Sequence, residues 1–431
     1  MPNLFAGLDF GTTNSTLALA AAAGVQGAPR LLALEGEAST LPSALFFSFE
    51  DGDTYFGRAA VFEYVDGAEG RFMRALKSVL GSSLMEETTR VGRERLSFVA
   101  LIGRFLAHLR AKLEAEAEYA AATGEGRVML DQVVLGRPVR FVDDDDAADR
   151  AAQDQLEQAA RGVGFSDIAF QYEPVAAALY YERTIAAEEL ALVVDIGGGT
   201  SDFTVVRLSP RRAAALDRSS DILSFTGVHV GGTDFDRLFS IAQVMPHFGL
   251  GSDTADGKRR LPVWYFNDMA TWHRINTLYT PAIARDIKAL EREAAEPTRL
   301  ARFGHLLAHR SGHRLAGAVE SAKIALSDAE STEVVLTEPG LSFKATTNRS
   351  AFEAATADLV GRILNAIEAA LRGAGVSAGA IETVILTGGG AQVPAVRQAV
   401  VAKFPEARIT QSDAFGSVGL GLGLDAARKF G

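Results

Sequence analysis

Apolar positions along the chain follow two periods. Short runs bounded by glycine, proline or aspartate read as strands, and longer stretches with apolar residues at i, i+3, i+4 and i+7 read as helices. One apolar run ends in Asp195, continues through Gly197-Gly198-Gly199-Thr200, and enters a second β-rich run. Strands are therefore predicted over 191–194 and 203–208, with the glycines as the turn. Residues 4–19 repeat this grammar: an apolar run ending in Asp9, a turn of Gly11-Thr12-Thr13-Asn14, then another apolar run. Each hairpin is accompanied by a strand running into glycine and then a helix. The first unit starts at Gln132, passes Gly136 and leads to a helix over about 147–163. The second starts at Thr383, passes Gly388-Gly389-Gly390 and leads to a helix over about 395–404. The doubled pattern predicts two halves built alike. Further helices are predicted over about 98–122, where Leu101, Phe105, Leu109 and Leu113 share a face, over about 174–183, from near Asp236, across 319–327, and after Gly416.

A hairpin with glycines at its tip lets backbone N–H groups approach an anion. An aspartate at the strand end can hold hydrated magnesium, which prefers carboxylate and water oxygens. Asp9 and Asp195 occupy that position, and Thr200 adds a hydroxyl. One such hairpin is equally well an ordinary glycine turn. Two, each with a strand–glycine–helix unit, make a paired clamp with one nucleotide between the halves. Glu173, at a strand end before Pro174, can orient or deprotonate an attacking water, or simply favour the dipole of the helix it begins. Gly231 and Gly232 fit a close backbone approach to phosphate. Glu320, Lys323 and Ser327 share one helical face, which a surface ion pair also explains.

Other clusters have plainer readings. Four aspartates at 143–146 read as a solvated loop whose last acids favour the following helix N-terminus, against a metal site. His305, His309 and His313 are spaced four apart, but Gly312 interrupts the helix pattern and no carboxylate joins the spacing. The aromatic-rich stretch 261–273 reads as local core, with partner docking near Trp264 and Trp272 as the alternative. Lys77, on charge pattern alone, sits on the solvated face of an amphipathic helix.

With 431 residues and 48% hydrophobic content, the chain can bury two or more cores. A net charge of −11 argues against nucleic acid or an anionic membrane as the main partner. The absence of cysteine excludes disulfides, thiol catalysis and cysteine zinc sites. No basic region precedes an apolar stretch at the N-terminus, and no apolar run is long enough to cross a bilayer, so a cytoplasmic location is the expectation. No Gly-x4-Gly-Lys-Ser/Thr occurs, which argues against a P-loop enzyme.

The two hairpins, Glu173-Pro174-Val175-Ala176, Gly231-Gly232-Thr233-Asp234-Phe235-Asp236, the stretch from Glu320 through Lys323 to Ser327, and Thr387-Gly388-Gly389-Gly390 occur in a familiar order. Over nearly its whole length the chain resembles the nucleotide-binding domain of the seventy-kilodalton heat-shock (DnaK-type) chaperones, of the actin-like ATPase superfamily. Within that family it is most similar to the short YegD-like proteins. The resemblance implies an α/β, two-lobed actin-like ATPase fold of duplicated ribonuclease-H-like lobes, each with an inserted subdomain. Lobe I would span 1–188 with an insertion at 38–125 and be completed by about 410–431. Lobe II would span 189–409 with an insertion at 231–334.

The resemblance further implies that ATP or ADP binds with magnesium between the lobes, and that water attacks the γ-phosphate in line. Lys77, Glu173, Asp195 and Thr200 would serve catalysis, and Asp9 and Asp195 would hold magnesium through water. Gly11, Thr12, Thr13, Asn14, Gly197, Gly198, Gly199, Asp202, Gly231 and Gly232 would contact the nucleotide around its phosphates. Glu320, Lys323 and Ser327 would bind ribose and adenine, with Gly388, Gly389, Gly390 and Asp413 completing the nucleotide site. Two positions depart from the family: Thr233 stands where an acid is usual, and Gln392 where an arginine stacks on adenine. The family's apolar linker, peptide-gripping β-sandwich and lid have no counterpart before Gly431. The expectation is therefore a weak basal ATPase without peptide stimulation, any client or co-chaperone acting in trans. A small-molecule kinase of the same superfamily and an actin-like filament former are the alternatives.

Overall fold

The computed structural model describes residues 1–22, 28–142, 145–213, 215–411 and 416–431. The first hairpin is made of strands Asn3–Asp9 and Asn14–Ala21, paired antiparallel from Leu4↔Ala21 to Asp9↔Thr16. Positions 5–8 and 15–20 are all buried, as in strands covered on both faces. Strand Arg127–Arg137 adds parallel to Asn3–Asp9, and Asp167–Tyr172 adds parallel beyond it. Arg30–Leu31 pairs antiparallel on the hairpin's other side.

The second hairpin, Glu189–Ile196 with Ser201–Leu208, is extended in the same way. Thr383–Thr387 and Arg408–Gln411 add in parallel on one side, and Ile222–Val228 antiparallel on the other. Along this path both sheets therefore run third, second, first, fourth, fifth in their own strand sequence. The doubled sequence grammar is a doubled topology, and the molecule has the two-lobed actin-like ATPase fold.

Helices Glu173–Glu182 and Ser417–Phe430 pack against each other, the first reaching the second sheet and the second lying on the first sheet. Small residues allow the approach. A Cβ on Gly421 would stand 1.8 Å from the Ala176 carbonyl oxygen, and one on Gly7 would stand 2.1 Å from the Gly423 nitrogen. An apolar cluster including Val134, Val175, Val193, Ile385 and Leu422 joins both sheets to this helix pair.

Between Pro42 and Arg127 the chain builds a three-stranded sheet in the order Thr54–Phe56, Ala44–Ser48, Gly70–Arg74, with helix Gly57–Asp66 against it and helix Phe98–Thr123 following. Lys77 is on no amphipathic helix. It sits in a single 3-10 turn, Leu76–Val79, and is buried. In the other lobe, the helix expected near Asp236 starts at Gly232, because the Asp234 carboxylate accepts the Gly231 N–H at 3.0 Å and fixes an earlier first turn. Tyr265, Phe266 and Met269 enter the core of that lobe, so the aromatic stretch is local core there, while Trp264 is 46% exposed.

The three histidines do not share a face. Helix Pro297–Ala308 ends before His309, Arg310 adopts a left-handed φ of 51°, and a new helix begins at Gly312. His305 bonds Glu338 at 2.8 Å, whereas His313 faces the cleft. In the acidic loop, Asp145 caps helix Asp146–Gly162 by accepting the N–H groups of Ala147 and Ala148, and Asp143 and Asp144 lie outside the described residues. No helix among the described residues is long and apolar enough to cross a membrane.

Candidate functional site

The two hairpin tips meet on the floor of a cleft between the lobes. A Cβ on Gly198 would stand 2.2 Å from Thr13 Oγ1, so the threonine of one turn packs on the bare backbone of the other. Each turn is braced from outside its hairpin. Ser43 donates its N–H to the Thr13 carbonyl at 2.8 Å and its hydroxyl to the Gly11 carbonyl at 2.6 Å. Thr233 donates both its N–H and its hydroxyl to the Gly198 carbonyl at 2.8 Å. The residue that departs from the family's acid thus holds the second turn in place.

The cleft is a cavity of about 1240 Å³. The residues put forward from the sequence line it, except two. Gly231 packs on the second turn, where a Cβ would stand 2.4 Å from the Gly199 nitrogen. Asp413 lies outside the described residues.

Asp9 is the last residue of its central strand and Asp195 the last but one of the equivalent strand, and both line the cleft with Glu173 and Lys77. Lys77 Nζ forms an ion pair with Glu173 Oε1. Burial would lower the Lys77 ammonium, but the carboxylates of Glu173 and Asp9 outweigh it and hold it above the ordinary lysine value. The acids themselves are over-supplied. Burial, then the Glu173 charge, pushes Asp9 up to about 7 against the pull of Lys77. Burial, then Asp202, Glu173 and Asp9, pushes Asp195 up to about 8. Gly388, at φ 79°, presses on this group: a Cβ there would stand 2.7 Å from Asp195 Oδ1. On the opposite wall Lys323 binds Asp236 at 2.8 Å, and burial raises Asp236 to about 6 despite that pairing. Lys323 lines the cleft, and its partner there is Asp236, which the sequence pattern does not single out. The signal was present, since Asp236 closes the Gly231–Gly232 motif.

Across the top, Tyr64 of helix Gly57–Asp66 reaches the other lobe. Its hydroxyl accepts from Asn276 Nδ2 and lies 3.3 Å from His313 Nε2, which in turn lies 3.1 Å from the Trp272 carbonyl. Burial holds the His313 imidazole down at about 4, from an ordinary 6.5. An imidazole with a depressed folded value stabilises the fold above pH 6.5 and loses that contribution as pH falls toward 4. His313→Gln is therefore expected to flatten the acid limb of thermal stability, removing about 2 kcal/mol of the wild-type loss by about pH 4.5. Melting curves of the two proteins from neutral pH downward check this, and parallel curves would show that His313 does not carry the effect.

Residues 307–427 match the family model for Hsp70 protein. The chain is 28% identical over 440 residues to the chaperone protein HscA homolog of Bordetella pertussis, covering 98% of this chain and 58% of that one. It is 28% identical over 439 residues to the chaperone protein HscA of Serratia proteamaculans, with the same coverage of 98% and 58%. Over 290 residues it is 29% identical to the chaperone protein DnaK of Deinococcus radiodurans, covering 64% of this chain and 37% of that one. The chain thus spans little more than half the length of the two HscA relatives, and its match to the DnaK relative spans little more than a third of that protein. With the doubled topology and the paired glycine turns, these matches make the chain similar to proteins of the seventy-kilodalton heat-shock family.

Proposed function

We propose that the chain binds magnesium–ATP between its lobes and hydrolyses it slowly, as the nucleotide-binding part of a chaperone system. The observation that carries this reading is that the Asp9–Asp195–Glu173–Lys77 cluster lines the same cleft as two touching glycine–threonine turns, and that the cleft is large enough for a nucleotide and its hydrated cation. Burial first, and the neighbouring carboxylates second, raise Asp9 and Asp195, with Lys77 as the opposing cation. An all-oxygen donor set short of positive charge suits magnesium, which keeps several waters and takes one or two carboxylates plus phosphate oxygens. Asp9 and Asp195 are the residues that would hold it. Bound there, it would neutralise charge on the phosphates.

The chain's own groups divide the remaining work. Backbone N–H groups of Gly11–Thr13 in one turn and Gly198–Thr200 in the other would cradle the phosphates, the Gly197 N–H being donated to the Thr200 carbonyl. Glu173, oriented by its ion pair with Lys77, would orient the attacking water and accept its proton. The water oxygen bonds to the γ-phosphorus as the bond to the ADP oxygen breaks, and Lys77 opposes the charge that develops. Glu320, Lys323 and Ser327 would hold the nucleoside end. HscA and DnaK proteins are named chaperones, and a protein client or co-chaperone is proposed to act with this chain in trans.

Saturating magnesium–ATP, at about a hundred times its dissociation constant, is expected to stabilise the fold by about 2.7 kcal/mol. Thermal melts with and without magnesium–ATP, followed by a phosphate-release assay, test the reading. An unchanged melting temperature in the wild-type protein would sink it.

A further inference from the structure

Tyr64 belongs to helix Gly57–Asp66, which packs on the small sheet of Thr54–Phe56, Ala44–Ser48 and Gly70–Arg74. Its ring stacks on Phe72 of that sheet at 4.2 Å, so the side chain is held from its own side. The hydroxyl crosses to the other lobe, where it accepts from Asn276 Nδ2 and lies 3.3 Å from His313 Nε2. Among the described residues, the hydrogen bonds that join residues 42–127 to residues 231–334 are those of Tyr64, and no ion pair adds to them. The Trp272 ring contributes a further contact, with the Arg74 guanidinium 5.2 Å from its centroid.

His313 sits where these contacts meet and is 3% exposed. Its ring is tilted on Tyr64 with centroids 4.6 Å apart and meets Trp272 edge-on at 4.8 Å. Nε2 lies 3.1 Å from the Trp272 carbonyl, which can only accept, so Nε2 carries the proton of the neutral ring. Nδ1 has no hydrogen-bond partner among the described residues, so a second proton there is a buried, unpaired charge. The surrounding groups do not relieve it. Helix Gly57–Asp66 presents Tyr64, and strand Gly70–Arg74 presents the like charge of Arg74. In the turn Trp272–Leu278, Arg274 is held by Asp268 at 2.8 Å. On its own helix, Arg314 is held by Glu338 at 3.1 Å, and Glu320 attracts Arg74. Much of what buries the ring belongs to the other lobe. If the lobes part, Tyr64 and Arg74 withdraw, water reaches His313, and the like charge of Arg74 is gone.

We infer that Tyr64, Asn276 and His313 form a clasp across the cleft that opens in acid, with His313 as the group that takes up the proton. In the closed clasp burial holds the imidazole down at about 4, against an ordinary 6.5, with the Trp272 carbonyl opposing and Arg74 assisting. A hydrated ring in the open clasp returns toward the ordinary value. Opening therefore takes up a proton between pH 6.5 and 4, and falling pH favours it through that window. Helix Gly312–Asp328, which begins at the clasp, also carries Glu320, Lys323 and Ser327 into the cleft. Parting the clasp loosens the wall that those residues form, so nucleotide leaves faster in acid. That consequence rests on the nucleotide reading above, whereas the clasp itself does not.

Two measurements test it. The chain has no cysteine, so Phe49→Cys and Trp264→Cys, at exposed positions on the two sides, give unique sites for a pair of spin labels. In ligand-free protein the distance between the labels should lengthen as pH falls from about 7.5 to about 5.5. It should stay fixed when His313→Gln is added, because the amide keeps a donor for the Trp272 carbonyl and does not titrate. Tyr64→Phe keeps the ring on Phe72, loses the hydroxyl, and should lengthen the distance already at neutral pH. The second measurement follows release of a fluorescent ADP analogue, bound with magnesium and chased with unlabelled ADP. Release should speed up about tenfold over the same range in the wild type and not in His313→Gln. Asp9, Asp195 and the phosphates titrate alike in both proteins, so the difference between them belongs to His313. A distance that ignores pH, or that responds equally in His313→Gln, overturns the clasp while nucleotide binding stands. A distance that responds while release does not overturns its part in nucleotide exchange. A responding distance in a protein that binds no nucleotide keeps the clasp and overturns the nucleotide reading.

Discussion

Asp195→Asn is expected to shift the ligand-free and the nucleotide-bound protein in opposite directions. The Asp195 carboxyl is pushed up to about 8 by burial and by Asp202, Glu173 and Asp9, with Lys77 opposing. An amide of the same shape removes the cost of burying this carboxyl among other acids, whether charged or protonated, without leaving a cavity, so the ligand-free fold should melt higher, by an amount on the order of 1–3 kcal/mol. The shape must be kept, because Gly388 approaches Asp195 Oδ1 closely enough that a Cβ would stand at 2.7 Å. The magnesium–ATP response should move the other way. An amide offers no anionic oxygen to a hard divalent cation, so most of the stabilisation of about 2.7 kcal/mol expected at a hundredfold excess over the dissociation constant should disappear. Four melting curves, wild type and variant with magnesium–ATP and with a chelator, read both effects. A variant that keeps the full magnesium-dependent shift would remove Asp195 from the cation site.

What the sequence made legible was local. An apolar run, an aspartate and a glycine turn are contiguous in both hairpins, and the strand–glycine–helix units that extend them are contiguous too. The matching topology of the two sheets follows from that repetition. The misreadings have another origin. A glycine in sequence shows that a Cβ is not tolerated, but not what excludes it. The sequence suggests room for phosphate at Gly231, and the structure shows that the neighbour a Cβ would meet there is the Gly198–Gly199 backbone. The spacing of His305, His309 and His313 suits one continuous helix, which the left-handed Arg310 interrupts.

Lys77 is invisible to charge pattern and comes only through the resemblance. Its burial is a property of the assembled cleft, fixed by the Leu76–Val79 turn on one side and Glu173 on the other.

Lys77→Met is expected to leave nucleotide binding nearly intact and to remove most of the hydrolysis. The ground state does not need this lysine for phosphate binding, since two hairpin turns already offer their backbone N–H groups at the floor of the cleft. The transition state does, because negative charge builds on the oxygens around the γ-phosphorus while the leaving oxygen departs. A fixed cation aimed at that charge in a water-poor site is worth about 10²–10³ in kcat. The same lysine holds Glu173 through their ion pair, so its loss also frees the carboxylate that would orient the water. Methionine preserves the buried stem, which keeps the 8% exposed site filled and separates a chemical effect from a packing one. The signature is a fall in kcat of about a hundredfold with the ADP dissociation constant changed by less than about threefold. Glu173→Gln should show the same split, and the double variant should lose little more than either alone, because the two residues act as a unit. Single-turnover phosphate release and ADP titration on the three variants measure this. Additive losses in the double variant would mean that Lys77 and Glu173 act separately, and undiminished kcat in both single variants would remove them from the chemistry.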